Sequence, residues 1–181
     1  MKKALLSALI LLSLLLAGCG GSAVKSRYER FSAELAEKET LSYEARLLAS
    51  YPDRNLEFTL RYQKSPEGEE ITVLAPALIE GISARIEPGS QRLCYDGLIL
   101  DAGPLDPYGL TPMSALPRLT EALLHGHPDS CWEEDGQAVL RLIPDDHLTA
   151  TVWFSEDMIP QRARLESDGR VTADCELSEW S

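Results

Sequence analysis

Apolar side chains recur at every second position along most of the chain after residue 40. The clearest run contains Leu56, Phe58, Leu60 and Tyr62, with polar or charged residues between them. Because successive side chains of a β-strand point to opposite faces of the sheet, this period predicts strands with one apolar face. That face must be covered by a second layer, so the pattern restricts the chain to layered, β-rich architectures.

Short turn sequences separate the apolar runs and predict hairpins between neighbouring strands. Ser65-Pro66-Glu67-Gly68 is one of them, and Asp-Gly pairs stand at positions 96–97, 135–136 and 168–169. Asp-Gly suits the two-residue turns that join antiparallel strands. In the second half of the chain, strands are predicted over residues 130–134, 138–143, 148–154, 161–166 and 171–177.

Two segments have apolar residues three or four positions apart and therefore predict helices. The first covers residues 24–38, and the second covers residues 113–125 with Pro117 in its first turn, where a missing N–H costs little. Residues 102–111 are rich in Pro and Gly and predict a loop. The element order predicts an α+β fold, in which a curved antiparallel sheet packs against an N-terminal and a central helix.

The element order and three local stretches resemble one known superfamily. The stretches are Pro-Ala-Leu-Ile-Glu-Gly-Ile at 76–82, Tyr-Asp-Gly-Leu-Ile-Leu at 95–100, and Leu-Pro-Arg-Leu-Thr-Glu-Ala-Leu at 116–123. With them, residues 25–181 resemble a single domain of the LolA/LolB outer-membrane lipoprotein-carrier superfamily, also called the lipoprotein localisation factor fold. The resemblance implies an incomplete β-barrel of about ten strands with a central helical lid over an apolar cavity.

The apolar faces of the strands and of the lid would line such a cavity. A cavity of that kind suits acyl chains without any catalytic group. The same side chains could instead pack together as a closed core. The residues expected to line the cavity are Tyr43, Leu47, Phe58, Leu60, Ile71, Val73, Ile82, Ile86, Leu119, Leu123, Leu140, Val152 and Phe154.

The N-terminus reads as an export signal that ends in a lipid-attachment site. Lys2 and Lys3 precede an apolar run over residues 4–17, which is too short for a comfortable transmembrane helix. The run ends in Leu16, Ala17, Gly18 and Cys19, which resemble a bacterial lipobox. We therefore predict a signal peptide over residues 1–18, lipid attachment at Cys19, and a lipidated cysteine with a flexible tether over residues 19–24.

This reading places the protein on the extracytoplasmic face of a bacterial membrane, held by its N-terminal lipid. The sequence leaves open whether that is the membrane of a one-membrane cell or the outer membrane of a two-membrane cell. The formal charge is -12, and the predicted cleavage removes two lysines, so the remaining chain is more acidic still. A chain of this charge is not expected to bind nucleic acid, and anionic lipid headgroups would repel it.

Three cysteines remain after the predicted lipid-attachment site. Cys94, Cys131 and Cys175 could form at most one intramolecular disulfide, which an exported compartment permits. All three pairings stay open at this point. No Cys-x-x-Cys spacing occurs in the sequence, so no cysteine-based metal site is predicted.

Two polar clusters resemble catalytic or metal-binding groups. His125 and His127 flank a glycine and are followed by Asp129, but this spacing is typical of a helix end. The run 145–147, Asp-Asp-His, is predicted to be a hairpin turn, because a calcium loop needs more oxygen ligands in register. We therefore predict no catalytic residue, no metal and no cofactor, and a protein that is not an enzyme.

Two hypotheses for function follow. In the first, the protein is an anchored carrier that holds lipid, or the acyl chains of another lipoprotein, in the half-barrel. In the second, the same fold has a filled core and its outer surface binds an envelope protein partner, as in sporulation or envelope-stress relatives. An apolar tunnel would favour the carrier, and a closed core with an exposed apolar patch would favour the partner-binding module.

The Cys19→Ala variant tests the predicted lipid attachment. We expect it to incorporate no fatty acid, because the thiol is the acceptor of the lipid, and to remain uncleaved or be cleaved elsewhere. Labelling cells with a clickable fatty acid and immunoprecipitating the protein measures this. Cys94→Ala is the control and should label like the wild type. Wild-type labelling of the Cys19→Ala variant would show that the protein is not a lipoprotein.

Overall fold

A computed structural model describes residues 20–87, 90–103 and 110–181. Within these ranges the chain forms two α-helices and one sheet of eleven strands. The elements are α1 (Gly20–Glu37), β1 (Leu41–Ser50), β2 (Asn55–Ser65), β3 (Gly68–Ala75), β4 (Ser83–Glu87), β5 (Ser90–Tyr95), β6 (Leu98–Gly103), α2 (Pro112–His125), β7 (His127–Glu134), β8 (Gln137–Ile143), β9 (Leu148–Phe154), β10 (Pro160–Ser167) and β11 (Arg170–Ser178).

The sheet consists of two antiparallel meanders joined by one pairing. The strand order is β6-β5-β4-β3-β2-β1-β11-β10-β9-β8-β7. Every neighbouring pair is consecutive in sequence except β1 and β11, where Leu47 lies opposite Cys175. The predicted α+β class, with an antiparallel sheet and two helices, is confirmed.

The sheet curves around α2, which we call the lid. The lid contacts β3 at one side and β8 at the other. Six strand spacings separate these strands, or about 29 Å in a flat sheet, whereas a helix of this length spans about 21 Å. One helix can contact both strands only if the sheet bends around it, so the face toward the lid is concave. The other helix, α1, packs against the lid and β7.

The alternating pattern predicts which side chains enter the core. Along β1, Tyr43, Ala45 and Leu47 have no exposed surface, whereas Arg46 and Leu48 lie on the outer, convex face. On the lid, the apolar stripe predicted from the sequence is buried against the sheet. The core is therefore the layer between the lid and the concave face.

The Asp-Gly turns have the geometry that their sequences predict. Asp96, Asp135 and Asp168 have φ angles of 47°, 50° and 49°, and each is followed by a glycine with φ between 75° and 79°. Two successive residues with positive φ define a type I′ turn, whose twist matches that of antiparallel strands.

The lid begins earlier than predicted, and this corrects the position of Pro117. Thr111 caps the helix, exchanging hydrogen bonds with Ser114, and Pro112 occupies the first turn. Pro117 therefore lies inside the helix rather than in its first turn. Lacking an N–H, it cannot donate to the oxygen of Met113.

The position that follows the lid has no room for a side chain, so it requires a glycine. Gly126 has a φ of -66°, so it does not adopt the left-handed conformation that is common at helix ends. A Cβ atom at this position would lie 2.4 Å from the oxygen of Ala122 and 3.0 Å from the Cβ atom of Leu142. The chain therefore leaves the last turn of the lid in close contact with β8.

Other differences from the sequence prediction concern the ends of elements. The first helix begins at Gly20 rather than at residue 24, so part of the segment expected to be a flexible tether is helical. Strand β7 begins at His127 rather than at residue 130, and β6 extends to Gly103, inside the predicted loop. The predicted signal peptide and lipidated Cys19 lie outside the described residues. Among residues that are described, no helix is both long and apolar enough to cross a membrane.

Candidate functional site

The end of the lid is attached to α1 by hydrogen bonds. The hydroxyl of Tyr28 lies 3.2–3.3 Å from the backbone oxygens of Ala122, Leu123 and Gly126. It donates its hydrogen bond to one of these three oxygens. Ser32, one turn further along α1, donates to the oxygen of Leu124 at 3.1 Å. Burial raises the pKa of Tyr28 to about 12, so the hydroxyl keeps its proton.

The middle of the lid is attached to β1 by Tyr43. The Tyr43 hydroxyl lies 3.0 Å from the oxygen of Leu116 and 2.9 Å from the hydroxyl of Thr120. Its ring stacks on Trp180 with centroids 4.3 Å apart and lies 5.0 Å from the ring of Tyr62. These three aromatic rings form a layer beneath the lid.

One ion-pair chain joins the lid to the turn between β8 and β9. Arg118 pairs with Glu121 on the lid and with Asp145 in that turn. Asp145 also accepts hydrogen bonds from the backbone N–H groups of His147 and Leu148 at 2.8 and 2.9 Å. The Arg118 guanidinium is thus held by two carboxylates.

The predicted cavity residues all lie in the core or pack against it. Phe58, Ile82 and Ile86 are partly buried, and the other members of the set are at most 2% exposed. The structure therefore brings the predicted residues together between sheet and lid. In this conformation they pack against one another as a closed core.

A cleft of about 480 Å³ opens beside the lid, above this core. One wall is the lid, which contributes Thr120 and Glu121, and the other is formed by Lys64, Glu69 and Ile86 at the ends of β2, β3 and β4. A volume of this size is within the range of small-molecule sites. The cleft is therefore the candidate entrance to the half-barrel.

The charged rim of the cleft continues the concave face of β2 and β3. Tyr62 lies opposite Ile71 in the core, and one step of the alternation further along, Lys64 lies opposite Glu69. Both charged side chains are half-buried. Burial raises the pKa of Glu69, so its ionised form is disfavoured there.

A buried tyrosine hydroxyl lies close to two residues of the cleft. Tyr62 has no exposed surface, and its hydroxyl forms no hydrogen bond of acceptable geometry. Its pKa is raised, first by burial and then by the charge of Glu69, and Thr120 also influences it. The hydroxyl therefore faces two residues that line the cleft.

The polar clusters considered in the sequence do not form a catalytic or metal site in the part of the chain described. His125 ends the lid and lines the cleft, whereas Asp129 lies on β7 and pairs with Arg141 at 4.0 Å. The Asp-Asp-His run forms the predicted hairpin turn, where the ring of His147 lies 2.9 Å from Asp168. No group of three His, Cys, Asp or Glu side chains within the described ranges is arranged to hold a metal.

The three cysteines lie on separate strands of the sheet. Cys94 lies on β5, Cys131 on β7 and Cys175 on β11, and none of these strands are neighbours in the sheet. Burial raises the pKa of Cys175 to about 12. None of the three pairings left open by the sequence is formed.

Sequence reasoning missed the polar residues of the site. The signal was available: Lys64 and Glu69 continue an inward-facing alternation in which the preceding members are apolar. Thr120 likewise interrupts the apolar stripe of the lid and is 2% exposed. Which strands meet around the lid could not be read from the sequence, so these residues could not be placed together.

Comparison with known proteins identifies the fold. No protein-family model matches the chain, and no curated protein matches it. A LolA superfamily protein from Nitrosomonas europaea superposes with a TM-score of 0.50 at 14% identity, over 87% of this chain and 92% of that chain. A domain named for outer membrane lipoprotein sorting, from Vibrio parahaemolyticus, gives a TM-score of 0.50 at 11% identity, over 85% and 90%. The fold of this chain is LolA-like, as the sequence resemblance implied.

Replacing Tyr43 and Tyr62 by Phe gives a matched pair of stability tests. Tyr43→Phe removes a hydroxyl with two buried partners, and we expect it to lower the free energy of unfolding by about 1–3 kcal/mol. Tyr62→Phe removes a buried hydroxyl without a partner, and we expect a change between zero and about 1 kcal/mol of stabilisation. Urea unfolding monitored by circular dichroism measures both. An equal loss in the two variants would show that the Tyr62 hydroxyl has a partner.

Glu69→Gln tests whether the half-buried carboxylate costs stability. The pKa of Glu69 is raised in the folded state, so its contribution to stability is largest at acidic pH and is lost as pH rises through that pKa. Glutamine removes the charge, so we expect the variant to be more stable than wild type at neutral pH. The difference should shrink as the pH falls toward about 4. Melting temperatures between those pH values measure it, and a pH-independent difference would contradict the assignment.

Proposed function

We propose that this protein is a membrane-anchored extracytoplasmic lipoprotein that binds lipid, or the acyl chains of another lipoprotein, between its half-barrel and its lid. The observation that carries the proposal is the 480 Å³ cleft beside the lid, whose wall continues directly into the apolar concave face. The LolA-like fold supports it, and one structural neighbour is named for lipoprotein sorting. The N-terminal lipobox supports the anchor.

Acyl-chain entry requires the lid to move. The lid buries Leu116, Leu119 and Leu123, each without exposed surface, against the sheet. An acyl chain can replace these contacts, since each buried methylene contributes about 0.8 kcal/mol. The polar contacts of Tyr28, Tyr43 and Arg118 would then hold the lid closed when no ligand is bound.

Binding, rather than catalysis, is the role that the site supports. The groups at the cleft are an amine, a guanidinium, an imidazole, carboxylates and hydroxyls, and the nearby Tyr62 hydroxyl keeps its proton because its pKa is raised by burial. Nucleophilic catalysis needs a nucleophile and a base within hydrogen-bond reach of each other. The contacts of the described residues provide no such pair at the cleft, so we propose a protein that is not an enzyme.

A second candidate is the partner-binding module, which the closed core and one exposed surface favour. Leu98, Ile99 and Leu100 on the edge strand β6 are 65–69% exposed, and Tyr95 on β5 is 50% exposed. Leu100 lies opposite Leu93, which packs on the core, so part of this surface extends the concave face past the lid. Clustered apolar residues of this kind are typical of protein interaction sites.

Hydrogen exchange distinguishes the two candidates. The processed lipoprotein, extracted in detergent, is incubated with phospholipid and analysed by native mass spectrometry and by amide exchange. We expect one lipid to bind and exchange to change in α2, because the lid must move. A Leu98→Ser, Leu100→Ser double variant is the control and should bind lipid like the wild type.

Two results would contradict the carrier proposal. One is the absence of any bound lipid together with unchanged exchange in α2. The other is a change in exchange confined to β5 and β6, abolished in the double variant, which would assign the interaction to the exposed edge instead.

A further inference from the structure

The concave face of β2 and β3 changes from apolar to charged over three successive residue pairs. Leu60 pairs with Val73, then Tyr62 with Ile71, and then Lys64 with Glu69 at the rim of the cleft. The first two pairs are buried and the third is half-buried. An occupant that follows this wall must therefore be apolar below and polar at its upper end.

The cleft has two basic side chains, Lys64 and Arg118, and two acidic ones, Glu69 and Glu121. Only some of these charges form salt bridges within the protein. Arg118 is held by Glu121 and Asp145. Lys64 and Glu69 face each other across the strand pair and interact through their charges, yet among the described residues neither forms a salt bridge within 4 Å. One cation and one anion thus remain without a direct salt bridge and can pair with an occupant that carries both charges.

The hydroxyl of Tyr62 is a third group without a partner at the same place. It is fully buried, it lies on the same strand and face as Lys64, and it is close enough to Glu69 to be influenced by its charge. Buried polar groups are nearly always hydrogen-bonded in folded proteins. A partner that supplies hydrogen bonds to both Tyr62 and Glu69 would satisfy this group.

We propose that the cleft recognises a zwitterionic phospholipid headgroup that contains a phosphate and a primary ammonium group. This inference rests on the proposed lipid binding. The ammonium group lies against Glu69 and the Tyr62 hydroxyl, and the phosphate lies against Lys64. The acyl chains continue along the apolar wall beneath the lid.

The chemistry separates this headgroup from its closest analogues. A primary ammonium has three N–H donors, which can serve the Glu69 carboxylate and the Tyr62 oxygen together. A quaternary ammonium has the charge but no N–H donor. A glycerol headgroup has hydroxyl donors but no positive charge to offset the desolvated carboxylate, so it leaves Glu69 unpaired.

The test is competition among phospholipids that share the same acyl chains. The full processed lipoprotein is incubated with equal amounts of phosphatidylethanolamine, phosphatidylcholine and phosphatidylglycerol, and bound species are quantified by native mass spectrometry. We expect phosphatidylethanolamine to be preferred by about tenfold, the ratio that one charge-assisted hydrogen bond supplies.

Variants assign the preference to individual groups. Tyr62→Phe and Glu69→Gln should remove most of the preference for phosphatidylethanolamine over phosphatidylcholine. Lys64→Gln should weaken all three lipids, because each contains a phosphate. Glu70→Gln is the matched control, since Glu70 follows Glu69 on β3 and points to the opposite face. Melting temperatures confirm that each variant is folded.

The outcomes separate this inference from the function on which it rests. Equal binding of the three lipids, or a preference for either analogue, would overturn the headgroup assignment and leave lipid binding intact. Failure of all three lipids to bind would overturn both. A preference that survives Tyr62→Phe and Glu69→Gln would also overturn the assignment, because it would arise elsewhere on the protein.

Discussion

The burial of one helix determines the shape of the whole domain. The lid carries an apolar stripe that no other helix in the described structure could cover, because α1 contacts only its end. A sheet can cover it only by bending, and the bend is what brings β3 and β8 to opposite sides of the same helix. The pairing of β1 with β11 makes this possible, since it joins two local meanders into one continuous wall. Removal of the lid would expose the concave face of β1, β2, β3, β8, β9 and β10.

Within this apolar layer, polar groups fall into two classes. Tyr28 and Tyr43 are buried with partners, and their hydrogen bonds fix the lid over the sheet. Tyr62 and Glu69 are buried or half-buried at a cost, because one has no partner and the other has a carboxylate that is harder to ionise. Buried polar groups that lower stability and make no compensating contact are concentrated at functional sites. The contrast between two tyrosines on neighbouring strands therefore marks where a ligand would replace missing contacts.

Much of the fold was predictable because it is local. Period-two alternation placed the strands, and the Asp-Gly pairs placed their turns, since side-chain direction and turn geometry depend on a few adjacent residues. Non-local features were not predictable in this way. The sequence does not reveal that β1 meets β11, or that Gly126 is required by close contact with β8. Lys64 and Glu69 were overlooked for the same reason, because their importance depends on a lid that approaches from residues 112–125.

A closed core and a carrier function are compatible if the lid has two positions. Its contacts differ in kind: Tyr28 holds the C-terminal end and Tyr43 holds the middle by buried hydrogen bonds, whereas Arg118 joins the lid to the turn between β8 and β9 by an ion pair that is partly exposed. Exposed ion pairs contribute little to stability, so the Arg118 contact is the easiest of the three to release. Arg118 borders the cleft, where Thr120 and Glu121 meet the strand ends. A ligand that enters there would first encounter the weakest attachment and would displace the lid while α1 still holds its end.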